Sequence, residues 1–197
     1  MNKIGFALWV IAVCMVLSGC NSSELSAAAS VQEDARTTPD IADTSEFLIT
    51  KDANCYRIIV YDRNNLPFDE LGPFSKEPEV VWVNENMLRV GMQAGTGKET
   101  KWGIYYDLAN HRQSEAYYGI LAESNRFIAY CGVKKIVVQD PFDEDQFYRE
   151  ITTFPAGLSP TASPFVGAQF ADDYTVIAIT YLSGDDYHLE TTVIPLR

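Results

Sequence analysis

The feature that most constrains the fold is a series of short apolar segments that begins at Phe47 and continues to the end of the chain. The segments are rich in Ile, Val, Tyr and Phe, and Asn, Asp, Gly or Pro interrupt them every six to ten residues. No stretch shows helical periodicity, and this spacing is typical of consecutive antiparallel strands joined by turns. We therefore predict an all-β domain over residues 47–197.

Two patterns recur within this domain. The first is a strand, a polar turn and a second strand, with copies that start 39 and then 49 residues apart at Trp82–Val90, Leu121–Ala129 and Phe170–Ala178. The second is an apolar strand that ends in aspartate, at Ile58–Asp62, Gly103–Asp107 and Ile136–Asp140, with a fourth copy at Thr192–Leu196 that lacks the aspartate. Such repetition predicts tandem antiparallel meanders, each about four strands long.

Tandem meanders of this length resemble the blades of a small or incomplete β-propeller. The resemblance is architectural, because the chain carries neither the WD dipeptide nor the kelch double glycine. It implies sheets that pack face to face, with polar turns between the strands. A β-sandwich and a trefoil-like barrel of three repeats remain alternatives.

The N-terminus carries a second signal. A single Lys3 precedes thirteen apolar residues, Ile4–Val16, and the sequence Leu17-Ser18-Gly19-Cys20 follows. Thirteen residues rise only about 20 Å as a helix, which is too short to span a bilayer core of about 30 Å. The segment resembles the signal peptide of bacterial lipoproteins, and an uncleaved anchor or an ordinary secretory signal are the alternatives.

The lipoprotein resemblance implies cleavage after residue 19 and a mature chain that begins at Cys20, whose thiol carries a diacylglyceryl group and whose acyl chains are of the palmitate type. Two or more acyl chains hold a protein stably at a membrane. The implied location is the extracytoplasmic face of the cell membrane, or the periplasmic leaflet of the outer membrane in a cell with two membranes. Residues 20–46 are rich in Ser, Ala, Thr and acidic residues and lack apolar periodicity, so we predict a flexible tether with a reach of about 28 Å.

Two of the four cysteines remain in the predicted domain, because Cys14 lies in the signal peptide and Cys20 is assigned to lipidation. Cys55 and Cys131 adjoin strand-like segments and could form a disulfide outside the cytoplasm. Each could equally be a small buried hydrophobic residue.

The formal net charge of −12, spread along the chain, argues against nucleic acid as a partner and against direct contact with anionic lipid headgroups. Negative charge favours cationic partners, although the ordinary role of net charge on a domain is to keep it soluble.

No motif supports catalysis, a metal or a cofactor. Gly95-Thr96-Gly97-Lys98-Glu99-Thr100 lacks the first glycine and the final Ser or Thr of a phosphate-binding loop. The acidic segment Asp140–Asp145 lacks the ligand order of a calcium loop, and His111 and His188 have no neighbouring ligand residue at zinc spacing. Asp62, Asp107 and Asp140 stand where strands end, and we predict that they accept hydrogen bonds from turn amides.

These features predict a membrane-anchored extracytoplasmic lipoprotein that is not an enzyme and whose β domain binds a protein or a cell-envelope component. One alternative is an envelope enzyme whose site brings strand-end carboxylates such as Asp107 and Asp140 together. The other is a structural accessory subunit of an envelope complex. The sequence leaves the oligomeric state open.

Overall fold

The computed structural model describes residues 46–93 and 101–197. In these residues the chain forms fifteen strands and no helix, which confirms the all-β prediction. The strands form four antiparallel sheets that follow one another along the sequence, as the meander repeats predict, and they do not close into a barrel. The predicted signal peptide, Cys20, the tether up to residue 45 and the Gly95–Thr100 segment lie outside the described residues.

The first two sheets come from the first half of the domain. Sheet I has the strand order β1-β2-β3, formed by Phe47–Asp52, Cys55–Tyr61 and Pro67–Phe74. Sheet II pairs β4 (Glu79–Trp82), β5 (Met87–Gln93) and β6 (Lys101–Asp107) in that order. Two short strands, β7 (Arg112–Gln113) and β8 (Tyr117–Tyr118), both pair with β6.

The last two sheets repeat this up-and-down order. Sheet III contains β9 (Ile120–Glu123), β10 (Ile128–Gly132), β11 (Lys135–Gln139) and β12 (Tyr148–Ile151). Sheet IV contains β13 (Phe165–Phe170), β14 (Val176–Ser183) and β15 (His188–Pro195). Because β9 and β13 each pair with one described strand only, each lies at the edge of its sheet.

Apolar residues on alternate positions bury one face of a strand against the neighbouring sheet. Between sheets I and II, Ile58 and Val60 of β2 pack with Leu88 and Val90 of β5 and with Tyr106 of β6, all fully buried. These side chains hold the first two sheets together. At about 25 cal/mol per Å², burial of such residues supplies the main favourable term for this contact.

Two further clusters continue the stack. Between sheets II and III the buried residues are Met87, Tyr105, Tyr117, Ile120 and Ile128. Between sheets III and IV the cluster is larger, and the strand residues in it that have no exposed surface at all are Ala129, Ile136, Val138, Ile177 and Ile179. Each sheet therefore packs on the sheet that follows it in sequence.

The turns correct the predicted alignment of the repeats. The Asn84 Oδ1 atom accepts hydrogen bonds from the backbone N–H groups of Asn86 and Met87, and the Ser124 Oγ atom accepts from Arg126 and Phe127. The Asp173 Oδ1 atom accepts from Thr175 in the third copy. The equivalent positions are therefore 84, 124 and 173, which are 40 and 49 residues apart (124 − 84 and 173 − 124), whereas the predicted first spacing is 39. The turn requires a side-chain oxygen, which asparagine, serine and aspartate supply in the three copies. An alignment of the repeats that matches residue types therefore misses the equivalent positions by one residue.

Candidate functional site

The candidate site is a cleft of about 540 Å³ between the edge strands β9 and β13. The turns after β4, β9 and β13 and the first residue of β6 complete its wall. The polar residues of the lining are Asn84, Lys101, Glu123, Ser124, Asn125, Gln169 and Asp172. The lining therefore mixes amides with charges of both signs, which suits a polar ligand more than a purely apolar one.

An ion-pair network around the buried Arg89 fixes one wall of this cleft. The Glu123 Oε2 atom accepts hydrogen bonds from Arg89 Nε and from the Tyr105 hydroxyl, each at 2.9 Å. The Arg89 Nη2 atom donates to Glu79 Oε2 at 3.1 Å. Only 2% of the Arg89 side chain is exposed, so the guanidinium is a charge held between sheets II and III.

Burial works against the charged form of Arg89, but Glu123 and Glu79 outweigh it and raise the pKa of the guanidinium. Burial also raises the pKa of Tyr105, and the neighbouring Glu123 carboxylate raises it further. The tyrosine therefore stays a neutral donor. Arg89 remains a cation that neutralises Glu123 at the edge of the cleft.

Two glycines make room for the arginine. A Cβ atom at Gly103 would lie 2.7 Å from both Cγ and Cδ of Arg89, and one at Gly91 would lie 2.9 Å from its Nη1 atom. Gly91 and Gly103 face each other across β5 and β6. The Nη1 atom is buried and has no hydrogen-bond partner in the described residues. The pair of glycines thus creates the slot that the guanidinium occupies.

An aromatic group forms the opposite wall. Phe170 and Tyr174, which both line the cleft, meet edge to face with ring centroids 6.5 Å apart. Phe127 contacts both rings from the core side, at 6.3 and 6.4 Å. Mutual packing of three rings restricts their motion, so this wall offers a fixed apolar platform.

A second cleft, of about 340 Å³, lies at the turns that end β6 and β11. Asp107 and Asp140 both line it, so the structure brings together the two carboxylates that the enzyme alternative invokes. Their oxygens nevertheless serve the turns. Asp107 accepts from the Asn110 backbone and side chain and from Arg112, and Asp140 Oδ1 accepts from the amides of Phe142 and Asp143.

The first strand-end aspartate behaves in the same way. Asp62 Oδ1 accepts hydrogen bonds from the amides of Asn64 and Leu66, each at 2.9 Å. The predicted role in turns is therefore confirmed for Asp62, Asp107 and Asp140. Burial raises the pKa of the Asp107 carboxyl, but the hydrogen bonds from Asn110 and Arg112 outweigh it and leave the pKa below its usual value. An ionised carboxylate whose two oxygens both accept hydrogen bonds within its own turn favours a structural role. The enzyme alternative remains a prediction.

The other predicted residues lie apart from both clefts. Cys55 begins β2 in sheet I, and Cys131 lies in β10 of sheet III. Their pairing stays a prediction. His111 stacks on Phe68, and His188 approaches Asp186. In residues 46–93 and 101–197 no three His, Cys, Asp or Glu side chains converge as a metal site would require, and no helix is long and apolar enough to span a membrane.

Sequence reasoning missed Arg89 and Glu123. The available signal is a single arginine within the apolar strand Met87-Leu88-Arg89-Val90, followed by Gly91. A charge inside an apolar strand is rarely buried without a partner. Glu79 lies on the neighbouring strand β4 of the same sheet, however, and Glu123 lies on β9 of sheet III, so only the packing of sheet II on sheet III brings Glu123 to Arg89.

Comparisons with known proteins leave the family open. No protein-family model matches the chain, and no curated protein matches it. Among solved structures, the crystal structure of the computationally designed Ika4 protein is similar, with 14% sequence identity and a TM-score of 0.37. The similarity covers 78% of this chain and 89% of that chain. At this level it assigns neither a family nor an activity.

Proposed function

We propose that this chain is a lipid-anchored extracytoplasmic lipoprotein whose β domain binds a protein segment or a cell-envelope component in the cleft between β9 and β13. The observation that carries the binding proposal is the cleft itself, with a fixed Glu123 on one wall and an aromatic platform on the other. The anchoring proposal is supported by the lipoprotein-type sequence Leu17-Ser18-Gly19-Cys20.

The chemistry of the cleft indicates the class of ligand. Backbone groups on the unpaired edges of β9 and β13, together with the amides of Asn84, Asn125 and Gln169, can hydrogen-bond to a peptide or a glycan. Phe170 and Tyr174 can pack against a sugar ring or an apolar side chain of a peptide. A peptide or a peptidoglycan fragment meets both requirements.

The binding proposal predicts ligand-dependent stabilisation that depends on the cleft. The full chain in detergent is titrated with short peptides and with peptidoglycan fragments, and thermal unfolding is followed by tryptophan fluorescence. A ligand at 100 times its Kd stabilises the folded state by about 2.7 kcal/mol. Asp172→Trp places a large side chain at an exposed position in the cleft wall and is expected to abolish this stabilisation.

The matched control is Asp185→Trp, the same change at an exposed position in the turn between β14 and β15. This variant should keep the full ligand response. An equal response from Asp172→Trp and the control would place the ligand elsewhere. No response to any peptide or glycan would contradict the proposal and favour the accessory-subunit alternative.

The anchoring proposal predicts that Cys20→Ser abolishes lipid attachment. In cells fed a radiolabelled fatty acid, the wild-type chain should acquire label and sediment with membranes, because several acyl chains bind a bilayer stably. Cys20→Ser should acquire none and remain uncleaved. Cys14→Ser, which changes a cysteine inside the apolar segment, is the control and should label normally. Label retained by Cys20→Ser would refute the assignment.

A further inference from the structure

In the part of the chain that the structure describes, the first and last sheets each have one face without a neighbouring sheet. The three clusters of buried residues join sheet I to II, II to III and III to IV, and in residues 46–93 and 101–197 no such cluster joins IV to I. The outer face of a sheet is defined here as the face opposite its buried cluster. Sheets I and IV therefore carry outer faces that the described chain does not cover with a core of its own.

The outer face of sheet IV is apolar and uncharged. On β14 and β15 its residues are Val176, Ala178, Thr180, Leu182, Leu189, Thr191, Val193 and Pro195, which alternate with the core-facing positions. Leu189 is 63% exposed and Val193 is 62% exposed. Exposed apolar residues grouped on one sheet face mark an interaction surface more often than isolated ones do.

The outer face of sheet I is more mixed in character. Leu48, Ile59 and Tyr61 are half-buried there. Arg57 and Glu70 neutralise each other on this face in an ion pair of 3.0 Å, and Asp52, on the same side of β1 as Leu48, adds one negative charge. The outer face of sheet IV thus carries no net charge and that of sheet I a single negative charge, although the chain as a whole has a formal net charge of −12.

We propose that these two faces cover each other between two copies of the chain, so that sheet IV of each copy packs on sheet I of its partner. Two strongly acidic copies repel one another over most of their surface, and contact through two faces that together carry a single negative charge limits this repulsion. The arrangement has twofold symmetry. The contact between copies repeats the packing within one copy, where each sheet packs on the sheet that follows it.

The area is sufficient for a stable dimer. Three strands of about seven residues present a sheet face of about 23 by 14 Å, or about 320 Å². Two contacts that each cover two such faces bury about 1,300 Å², which falls within the 1,200–2,000 Å² of specific interfaces. Either contact alone buries about half of that area, which is less than a specific interface buries, so a stable dimer needs both contacts at once.

The test is the molar mass of the full chain in detergent, measured by analytical ultracentrifugation. The wild-type protein is expected to show twice the mass of one chain. Val193→Asp in sheet IV and Ile59→Lys in sheet I should each reduce the mass twofold. Val133→Asp is the control, because Val133 is 91% exposed in the turn between β10 and β11 and away from both outer faces.

Mixing the two variants distinguishes this arrangement from others. A heterodimer of Val193→Asp and Ile59→Lys keeps one contact free of both substitutions, so the mixture should recover part of the doubled mass. If Ile59→Lys unfolds by circular dichroism, Thr50→Lys, at an exposed position on the same face, replaces it.

Three outcomes would overturn the proposal. A wild-type chain with the mass of one copy means that the faces close within one chain or await a different protein. A dimer that survives Ile59→Lys and Thr50→Lys but not Val193→Asp means that sheet IV of one copy packs on sheet IV of the other. A dimer that survives all face variants places the interface elsewhere. The substituted positions 50, 59 and 193 lie outside the cleft lining, so the response of Asp172→Trp to ligand tests the proposed function separately.

Discussion

Arg89→Met is expected to lower the free energy of unfolding by about 3 kcal/mol, the lower end of the cost of removing one partner from a buried ion pair, because the Glu123 and Glu79 side chains are 25% and 51% exposed. Methionine retains much of the length of the side chain but removes the charge. The Glu123 carboxylate would then lie beside the buried Tyr105 without the cation that neutralises it. Urea denaturation followed by circular dichroism measures the loss, and its midpoint should fall with the slope unchanged.

The control for Arg89 is the same substitution in an ion pair whose arginine is exposed. Arg112 Nη2 lies 2.8 Å from Asp107 Oδ2, and 45% of the arginine side chain is exposed. Asp107 is buried, but it keeps the hydrogen bonds from the Asn110 backbone and side chain when Arg112 is replaced. Arg112→Met should therefore cost no more than about 1 kcal/mol, the value typical of surface pairs. If Arg89→Met and Arg112→Met cost the same, burial of Arg89 has no energetic consequence and the ion-pair network does not hold sheets II and III together.

Gly91→Ala is expected to cost about 3 kcal/mol, at the upper end of overpacking effects. A Cβ atom at this position would lie 2.1 Å from the backbone carbonyl oxygen of Trp102, on the paired strand β6. The backbone cannot yield as a flexible side chain can, so β5 and β6 must separate. The same Cβ would also press on Arg89 Nη1 and disturb the cleft wall, so stability should fall together with the ligand response.

Gly167→Ala, in the edge strand β13, provides the matched comparison. A Cβ atom at Gly167 meets no atom within 4 Å, and its backbone conformation is open to any residue. This variant should be unchanged or up to about 1 kcal/mol more stable, because alanine reduces the freedom of the unfolded chain. Equal losses at positions 91 and 167 would show that the effect is general to glycine in strands and does not arise from the slot around Arg89.

The strand pattern predicted most of the fold because side-chain alternation and turn chemistry are local properties. Asn84 and Asp62 can cap their turns with atoms only two to four residues away, so such turns can be recognised without knowledge of the rest of the molecule. The alignment of repeats was wrong by one residue because equivalent turns use asparagine, serine and aspartate in turn. The three turns share a geometry but not a residue type, so a comparison of residue types cannot align them.

The candidate site could not be predicted in the same way. Arg89 and Glu123 are 34 residues apart, and they meet because sheet II packs on sheet III. Cleft-lining residues come from β6, β9, β13 and three turns, and none of them forms a motif along the chain. Asp107 and Asp140 were singled out by their positions at strand ends, but their shared cleft follows from the packing of two sheets.

The sequence by itself determined the all-β class, the tandem meanders and the aspartate-capped turns, since each depends on interactions between residues a few positions apart. Tertiary structure alone decided which strand faces are buried, which charge is held between sheets and which faces remain uncovered. Those outcomes depend on contacts between residues far apart in the chain, and the strength of each contact is set by the water that packing excludes.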